Sequence, residues 1–104
     1  MRRDTGLGAT SWVYIMASRR NGTIYVGVTS DLQGRVWDHR NATHPDSFTA
    51  RYGCTRLVWY QPLDNIVAAI AWEKAVKKYG RRRKLALIEA DNPEWNDLFD
   101  DVYQ

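Results

Sequence analysis

The chain has 104 residues, of which 44% are hydrophobic, and it carries five Trp and six Tyr. A domain of this length has enough apolar surface for a packed core, and the lack of a long apolar run or a signal-peptide pattern predicts a cytoplasmic protein without a membrane span. The net charge of +3 and the pI near 9.2 are weak evidence for a nucleic-acid partner, because many unrelated small proteins are equally basic.

The single cysteine, Cys54, excludes an internal disulfide and a cysteine-based zinc site. One free thiol is typical of a protein from a reducing compartment. The neighbouring Gly53 and Thr55 offer nothing that would activate a thiol, so we interpret Cys54 as a structural residue rather than a nucleophile.

The first predicted elements are two strands joined by a hairpin turn. Residues 12–17 and 23–29 favour strands, and Asn21-Gly22 between them is the pair that best tolerates a tight turn. Side chains alternate across a sheet, so the aliphatic positions should form one buried face. These positions are Val13, Ile15, Ile24, Val26 and Val28. Tyr14 and Tyr25 then project from the opposite face.

The register of this hairpin decides whether the two tyrosines can serve one site. A strict two-residue turn would pair Tyr25 with Ser18 and leave Tyr14 four residues further along the strand. At about 3.4 Å per residue, the tyrosines would be roughly 13 Å apart along the sheet. A bulge or a looser turn is therefore the expected arrangement for a shared site.

The next predicted element is a helix over residues 32–41, with Ser30 or Asp31 as its N-cap. Arg35 and His39 are four residues apart, so they lie on one helical face. A loop over residues 42–55 should follow.

A third strand is predicted over residues 56–61, ended by Pro62, which cannot donate to a β-ladder. A final short helix is predicted over residues 81–90, with Leu85 and Ile88 facing inward.

Between them, a longer helix begins at an Asp64 or Asn65 cap, runs to Tyr79 and stops at Gly80. Its predicted apolar stripe consists of Ile66, Ala69, Ile70 and Val76. Glu73 falls within or beside this stripe, where a charge is unusual and needs a partner. The order β-β-α-β-α-α predicts an α/β (α+β) domain with a small, three-stranded, mostly antiparallel sheet.

Hydrolysis of a phosphodiester needs a base for water and a Lewis acid or cation for the phosphoryl charge. Glu73 alone could hold Mg²⁺, because that ion keeps several waters and borrows substrate oxygens. Arg35 offers a planar fork that matches phosphate. Tyr14, Tyr25 and His39 are candidates for moving protons and positioning water.

Each of these residues also has a simpler interpretation. A strand Tyr is more often a packing residue, a helical Arg is usually solvated, and a lone His is usually incidental. Glu73 could simply pair with Lys77, four residues on. No single one of these residues indicates a catalytic site by itself, so the prediction depends on their order and spacing in the chain.

That order resembles the GIY-YIG nuclease family. Val13-Tyr14-Ile15 followed by Tyr25-Val26-Gly27 is similar to the paired motif that names the family, and residues 27–32 with Arg35 and His39 are similar to its second motif. The Glu73-Lys74 pair resembles the family's metal-binding helix.

Further segments, at residues 48–53, 56–60 and 92–95, match the small stand-alone bacterial branch of the family. The resemblance covers residues 12–98, which predicts a nuclease domain with a flexible tail over residues 1–11 and another over residues 99–104.

The resemblance implies one-metal hydrolysis of DNA, with Mg²⁺ as the cofactor, Mn²⁺ as a possible substitute, and no nucleotide cofactor. It makes Glu73 the metal ligand and Arg35 the phosphate stabiliser. Tyr14 becomes the leading general base, with Tyr25 and His39 positioning water or relaying the proton. Asn92 becomes a candidate counterpart of an asparagine in the larger repair and homing enzymes.

DNA contacts are expected mainly from cations, since each neutralised phosphate releases counterions. The candidate cations are Arg51, Arg56, Lys77, Lys78, Arg81, Arg82 and Lys84. The cluster within residues 77–84 is equally compatible with a solvated helix face. Trp37, Phe48 and Trp72 are candidates for stacking unpaired bases, which favours single-stranded or structured DNA as the substrate.

Two other functions remain open at this stage. The chain could be a nucleic-acid-binding module that kept the fold but lost turnover, or a basic domain that binds only protein partners. The presence of Tyr14, Tyr25, Arg35, His39 and Glu73 favours the active nuclease.

Overall fold

Three strands, β1 (Ser11–Ala17), β2 (Ile24–Thr29) and β3 (Arg56–Leu63), form an antiparallel sheet in the order β2-β1-β3 in a computed structural model that describes residues 10–102. The helices are α1 (Leu32–Arg40), α2 (Phe48–Arg51), α3 (Ile66–Lys78), α4 (Arg81–Asp91) and α5 (Phe99–Val102). The predicted α+β fold class is confirmed. Within residues 10–102, no helix is long and apolar enough to cross a membrane.

The β1–β2 hairpin has a looser turn than the two-residue turn suggested by Asn21-Gly22. The Ser18 amide donates to the Thr23 carbonyl at 3.0 Å, so residues 19–22 form the loop. Tyr25 consequently lies opposite Met16, and Tyr14 lies opposite Gly27. The tyrosines are two positions apart in register and on the same face, as a shared site requires.

The sheet separates two hydrophobic clusters. The first, which we call the aliphatic core, lies between the sheet and helices α3 and α4. It includes Val13, Ile15, Val26, Val58, Ala69, Val76, Ile88 and Trp95. The second, the tyrosine face, lies under α1 and α5 and includes Tyr14, Met16, Leu32, Val36, Cys54 and Leu57. The strand alternation was therefore predicted correctly. Burial raises the pKa of the Cys54 thiol, in agreement with a structural role.

Two predicted boundaries of regular structure are wrong. The strand β3 continues through Pro62 to Leu63, because β3 is an edge strand, where a missing amide donor is tolerated. The predicted loop over residues 42–55 contains the helix α2, whose N-cap Ser47 accepts a hydrogen bond from the Ala50 amide.

The predicted tails are also shorter than expected. The strand β1 already begins at Ser11, which is buried. Residues 99–102 form α5, and Phe99 and Val102 pack against the tyrosine face. Residues 1–9 and 103–104 of the predicted tails lie outside the described residues.

The predicted stripe of α3 is partly wrong. Ala69 and Val76 are buried, but Ile66 and Ile70 are 42% and 38% exposed. Successive residues of a helix are about 100° apart, so a contact face centred on Ala69 and Val76 brings Glu73 to its margin and leaves the two isoleucines beyond it. Glu73 is thus buried beside the core without interrupting it.

Candidate active site

The hairpin brings Tyr14 and Tyr25 together on the tyrosine face. Tyr14 is only 1% exposed, and its ring centroid lies 6.3 Å from that of Tyr25. Gly27 makes this possible, because a Cβ atom at Gly27 would lie 2.5 Å from Cζ and Oη of Tyr14. The Tyr14 ring therefore occupies the space that any other residue at position 27 would fill.

The helix α1 supplies the histidine. Its N-cap, Asp31, accepts a hydrogen bond from the Gly34 amide at 3.1 Å. A Cβ atom at Gly34 would contact the Asp31 carboxylate, which would have to shift to make room. One face of α1 then turns His39 toward the sheet, where its Nε2 atom lies 2.8 Å from the Tyr14 hydroxyl.

Arg35 lies at the exposed side of this pair. Its side chain is 38% exposed and forms an ion pair of 3.7 Å with Asp38. The positive charge of the guanidinium lowers the pKa of Tyr14, against the larger effect of burial. A half-exposed cation beside a buried phenol is suitably situated to meet an anion arriving from solvent.

Burial fixes the protonation states of the central pair. Burial and the nearby Tyr25 raise the pKa of Tyr14 to about 12, against the opposing effect of Arg35. Burial and the Arg35 charge lower the pKa of His39 to about 4. At neutral pH, Tyr14 is a phenol and His39 is a neutral imidazole.

The sequence analysis missed Thr49, which lies on α2. Its Oγ1 atom is 2.8 Å from Nδ1 of His39, and its side chain is buried. The Ser47 cap was a detectable signal for a helix here, but nothing in the sequence pairs Thr49 with a histidine of another element.

Glu73 approaches the site from α3. It is 8% exposed, and its Oε2 atom lies 2.6 Å from Nζ of Lys77, so the simpler pairing considered above is present. Its charge is one of the smaller causes that raise the pKa of Tyr14.

The donor set limits which metal could bind. Among residues 10–102, no three His, Cys, Asp or Glu side chains cluster as a metal site. A structural or catalytic zinc site needs at least three protein ligands, whereas Mg²⁺ can be held by one carboxylate with waters and substrate oxygens. Glu73 is therefore suited to be a single carboxylate ligand of Mg²⁺, and residues 10–102 offer no cluster of three such side chains of the kind that zinc needs.

Several of the predicted DNA-binding cations contact the protein itself. Arg56 donates to the Trp95 carbonyl at 3.0 Å, and Arg81 donates to the carbonyls of Asn21 and Gly22 at 2.9 and 2.6 Å. Lys77 pairs with Glu73, as described above. The remaining candidates are the exposed Arg51, Lys78 and Arg82 and the half-buried Lys84.

The predicted stacking residues divide in a similar way. Trp72 is partly buried, packs against the aliphatic core and donates to Gln61 at 3.1 Å, so packing already accounts for the position of its ring. Trp37 and Phe48 are 42% and 46% exposed. The sequence analysis missed Tyr52, which is 52% exposed with its ring centroid 4.7 Å from that of Phe48.

Phe48 links this surface to the centre, since its ring centroid lies 6.1 Å from that of Tyr25. Asn92, the candidate counterpart of a distant asparagine, is buried away from this surface. It donates to the carbonyls of Val58 and Asn96 at 3.0 and 2.9 Å, which is a structural role.

The chain matches one protein-family model and is similar in sequence to several known proteins. The model of the GIY-YIG catalytic domain matches residues 10–86. A UPF0213 protein of Syntrophus aciditrophicus is 29% identical over 84 residues, which are 81% of this chain and 94% of that protein. A UPF0213 protein of Haloquadratum walsbyi is 32% identical over 78 residues, 75% of this chain and 85% of that protein.

A solved structure is also similar. The solution NMR structure of a UPF0213 protein from Bacillus halodurans superimposes with a TM-score of 0.53 at 25% identity, covering 91% of this chain and 99% of that one.

Proposed function

The chain belongs to the GIY-YIG catalytic domain family, and on that premise we propose that it is an active, metal-dependent endonuclease that hydrolyses phosphodiester bonds in DNA. The observation that carries the proposal is the buried hydrogen bond of 2.8 Å between Tyr14 and His39, with Arg35 beside it. A buried packing tyrosine needs only a hydrogen-bond partner, whereas a tyrosine that handles protons needs a neutral base at its hydroxyl, which His39 offers here beside a cation.

Arg35 binds the scissile phosphate in this proposal. Its planar donors match two phosphate oxygens, and its exposure leaves it open to substrate. Because Asp38 already pairs with it at 3.7 Å on the exposed side, the phosphate competes only with a weak, solvent-screened contact.

Tyr14 activates the attacking water. A phenol whose pKa is raised to about 12 is protonated at neutral pH, so it accepts a proton from water only as it passes its own proton onward. His39 Nε2 lies at 2.8 Å in the direction of that transfer. Tyr25, beside both rings, helps to orient the water.

Glu73 would hold the Mg²⁺ ion. When bound, this ion supplies charge stabilisation for the phosphoryl oxygens. Lys77, which now pairs with the Glu73 carboxylate, would have to release it, and the 51% exposure of the Lys77 side chain would let its charge move into solvent.

The substrate class in this proposal is single-stranded or structured DNA. Phe48 and Tyr52 offer exposed aromatic faces next to Tyr25, and unpaired bases stack on such faces without sequence readout.

The deciding experiment compares cleavage of labelled DNA by the wild type and by Glu73→Gln, with Mg²⁺ and with chelator. We expect Mg²⁺-dependent cutting that falls at least about a hundredfold in the variant, because transition-state charge loses its stabilisation. Glu94→Gln, which alters an exposed carboxylate paired with Arg20, is the matched control and should cut normally.

A second variant separates metal binding from the ion pair. Lys77→Met removes the pair but leaves the Glu73 carboxylate, so it should retain metal-dependent cutting. Equal loss in Lys77→Met and Glu73→Gln would assign Glu73 a structural role. Binding of DNA by the wild type without any cutting would instead identify a nucleic-acid-binding module.

A further inference from the structure

A buried chain of hydrogen bonds extends beyond the catalytic tyrosine. The Tyr14 hydroxyl lies 2.8 Å from Nε2 of His39, and Nδ1 of the same ring lies 2.8 Å from Oγ1 of Thr49. All three residues are buried, at 1%, 6% and 3% exposure. Each ring nitrogen therefore has one protein partner, and the direction of the two bonds depends on which nitrogen carries the proton.

The environment of Tyr14 determines that direction. The Tyr14 hydroxyl is buried, and Nε2 of His39 lies 2.8 Å from it. The phenolic hydrogen then needs an acceptor, and a buried hydroxyl without one is costly. Nε2 of His39 can accept it only when that nitrogen is bare, which puts the imidazole proton on Nδ1.

Thr49 is positioned to accept a hydrogen bond from Nδ1–H of His39. Its Oγ1 atom lies 3.2 Å from the Ser47 hydroxyl, which can accept the threonine hydrogen and so leave a lone pair of Oγ1 for Nδ1–H. Ser47 is itself held by the Ala50 amide at 3.2 Å, and the Thr49 carbonyl accepts from the Cys54 amide at 2.8 Å. The threonine is fixed on both its side-chain and backbone sides.

We propose that Thr49 is a positioning residue that holds His39 in the Nδ1–H tautomer, so that the bare Nε2 atom faces the Tyr14 hydroxyl. The inference deepens the proposed function, and its kinetic consequence rests on that function. The tautomer itself is a property of the resting protein and does not depend on it.

The consequence for hydrolysis is a directed proton transfer. As the water oxygen bonds to phosphorus, one water proton moves to Tyr14 Oη, and the Tyr14 proton moves to His39 Nε2. The leaving oxygen departs with the electron pair of the broken P–O bond and takes a proton from solvent. The imidazolium keeps its Nδ1–H on Thr49, and returning its Nε2 proton to solvent restores the starting state. In the opposite tautomer, Nε2–H would point at Tyr14 and block the second transfer.

The test is nitrogen-15 NMR of the imidazole rings in the metal-free protein. The chain has two histidines, so His44→Ala assigns the His39 signals without ambiguity. We expect a protonated Nδ1 and a bare Nε2 in the wild type and in Thr49→Ser, which keeps the hydroxyl. Thr49→Val, which has nearly the same shape without it, should move the population toward Nε2–H. A wild-type ring protonated at Nε2, or an unchanged tautomer in folded Thr49→Val, overturns the proposal.

The kinetic consequence is tested by measuring kcat and KM for DNA cleavage with the same variants. Thr49→Val should lower kcat about 10- to 100-fold with little change in KM, and Thr49→Ser should restore most of it, since partners that orient a functional histidine typically have effects of this size. A kcat for folded Thr49→Val equal to that of the wild type overturns the kinetic consequence. A wild type that never cuts DNA contradicts the proposed function, while the NMR result on the tautomer still decides the role of Thr49.

Discussion

Gly27 and Tyr14 face each other across the β1–β2 hairpin, and each determines what the other can be. A tyrosine opposite another side chain would lean away along the strand, whereas opposite glycine its ring can lie across the partner backbone. That position keeps the Tyr14 hydroxyl close to α1, where Nε2 of His39 lies 2.8 Å from it. The glycine at the end of the Tyr25-Val26-Gly27 triplet is therefore needed for steric reasons.

Gly27→Ala tests this relation. The new methyl group would lie 2.5 Å from the Tyr14 ring, so the ring must move or the hairpin must open. We expect a loss of about 1–3 kcal/mol in the free energy of unfolding by urea, and a loss of cleavage larger than the unfolded fraction explains. Gly80→Ala is the control, because a Cβ atom at Gly80 meets nothing within 4 Å. Normal cleavage by folded Gly27→Ala would contradict the steric argument.

The buried His39 makes stability depend on pH. Its folded pKa of about 4 lies below the ordinary value of 6.5, so the unfolded chain binds more protons between these values. The stability that His39 contributes is fully present above pH 6.5 and is lost as the pH falls through about 4.

Urea unfolding at pH 7 and pH 4.5 measures this loss. We expect the wild type to lose on the order of 2 kcal/mol more than His39→Gln over that interval, because glutamine does not titrate. His44→Gln, which changes an exposed histidine, should behave like the wild type. Parallel losses in the wild type and His39→Gln would show that burial of His39 does not carry the effect.

At the level of elements, the four-residue helix α2 does more than its length suggests. One residue, Thr49, points inward to His39, and the preceding Phe48 points outward beside Tyr25. A helix this short has no hydrophobic period, and isolated short helices are unstable, so tertiary contacts maintain it. This is why the sequence predicted a loop here.

Phe48→Ala tests the outer side of α2. If unpaired bases stack on Phe48, the Kd for a single-stranded oligonucleotide should rise about 5- to 100-fold, the usual effect of removing one stacking ring. Binding is best measured in the Glu73→Gln background, where DNA stays intact. Val67→Ala, which trims a side chain that is 74% exposed on α3, is the control. An unchanged Kd in Phe48→Ala would remove the aromatic surface from the proposal.

The longer elements were predictable because their signals are local. The strand period puts Tyr14 and Tyr25 on one face of the sheet, and the helix period puts Arg35 and His39 on one face of α1. Both periods can be counted in the sequence. The extension of β3 through Pro62 was not predictable, because it depends on which strand lies at the edge of the sheet. Likewise, the chain gives no local sign that Arg81 ends on the carbonyls of Asn21 and Gly22.

At the scale of the whole molecule, a hydrogen-bonded contact joins the basic helix α4 to the β1–β2 hairpin loop, which also carries arginines. The contact of Arg81 with the hairpin loop brings the exposed Arg19 and Arg20 toward the start of α4, where Arg82 is also exposed. The sequence analysis considered only the cluster within residues 77–84, since residues so far apart in the chain have no local pattern in common. Exposed cations therefore lie on the hairpin loop as well as on α4, and one of them, Arg20, is paired with Glu94.

The two layers of the fold also contribute different parts of the proposed machinery. Tyr14, His39 and Thr49 come from the first half of the chain and lie on the tyrosine face, whereas Glu73 belongs to α3, which packs on the aliphatic core. Chains emerge from the ribosome in sequence order, so Tyr14, His39 and Thr49 are synthesised before Glu73. If the proposed function holds, a nascent chain that ends before α3 has the proton-handling residues but lacks the proposed metal ligand.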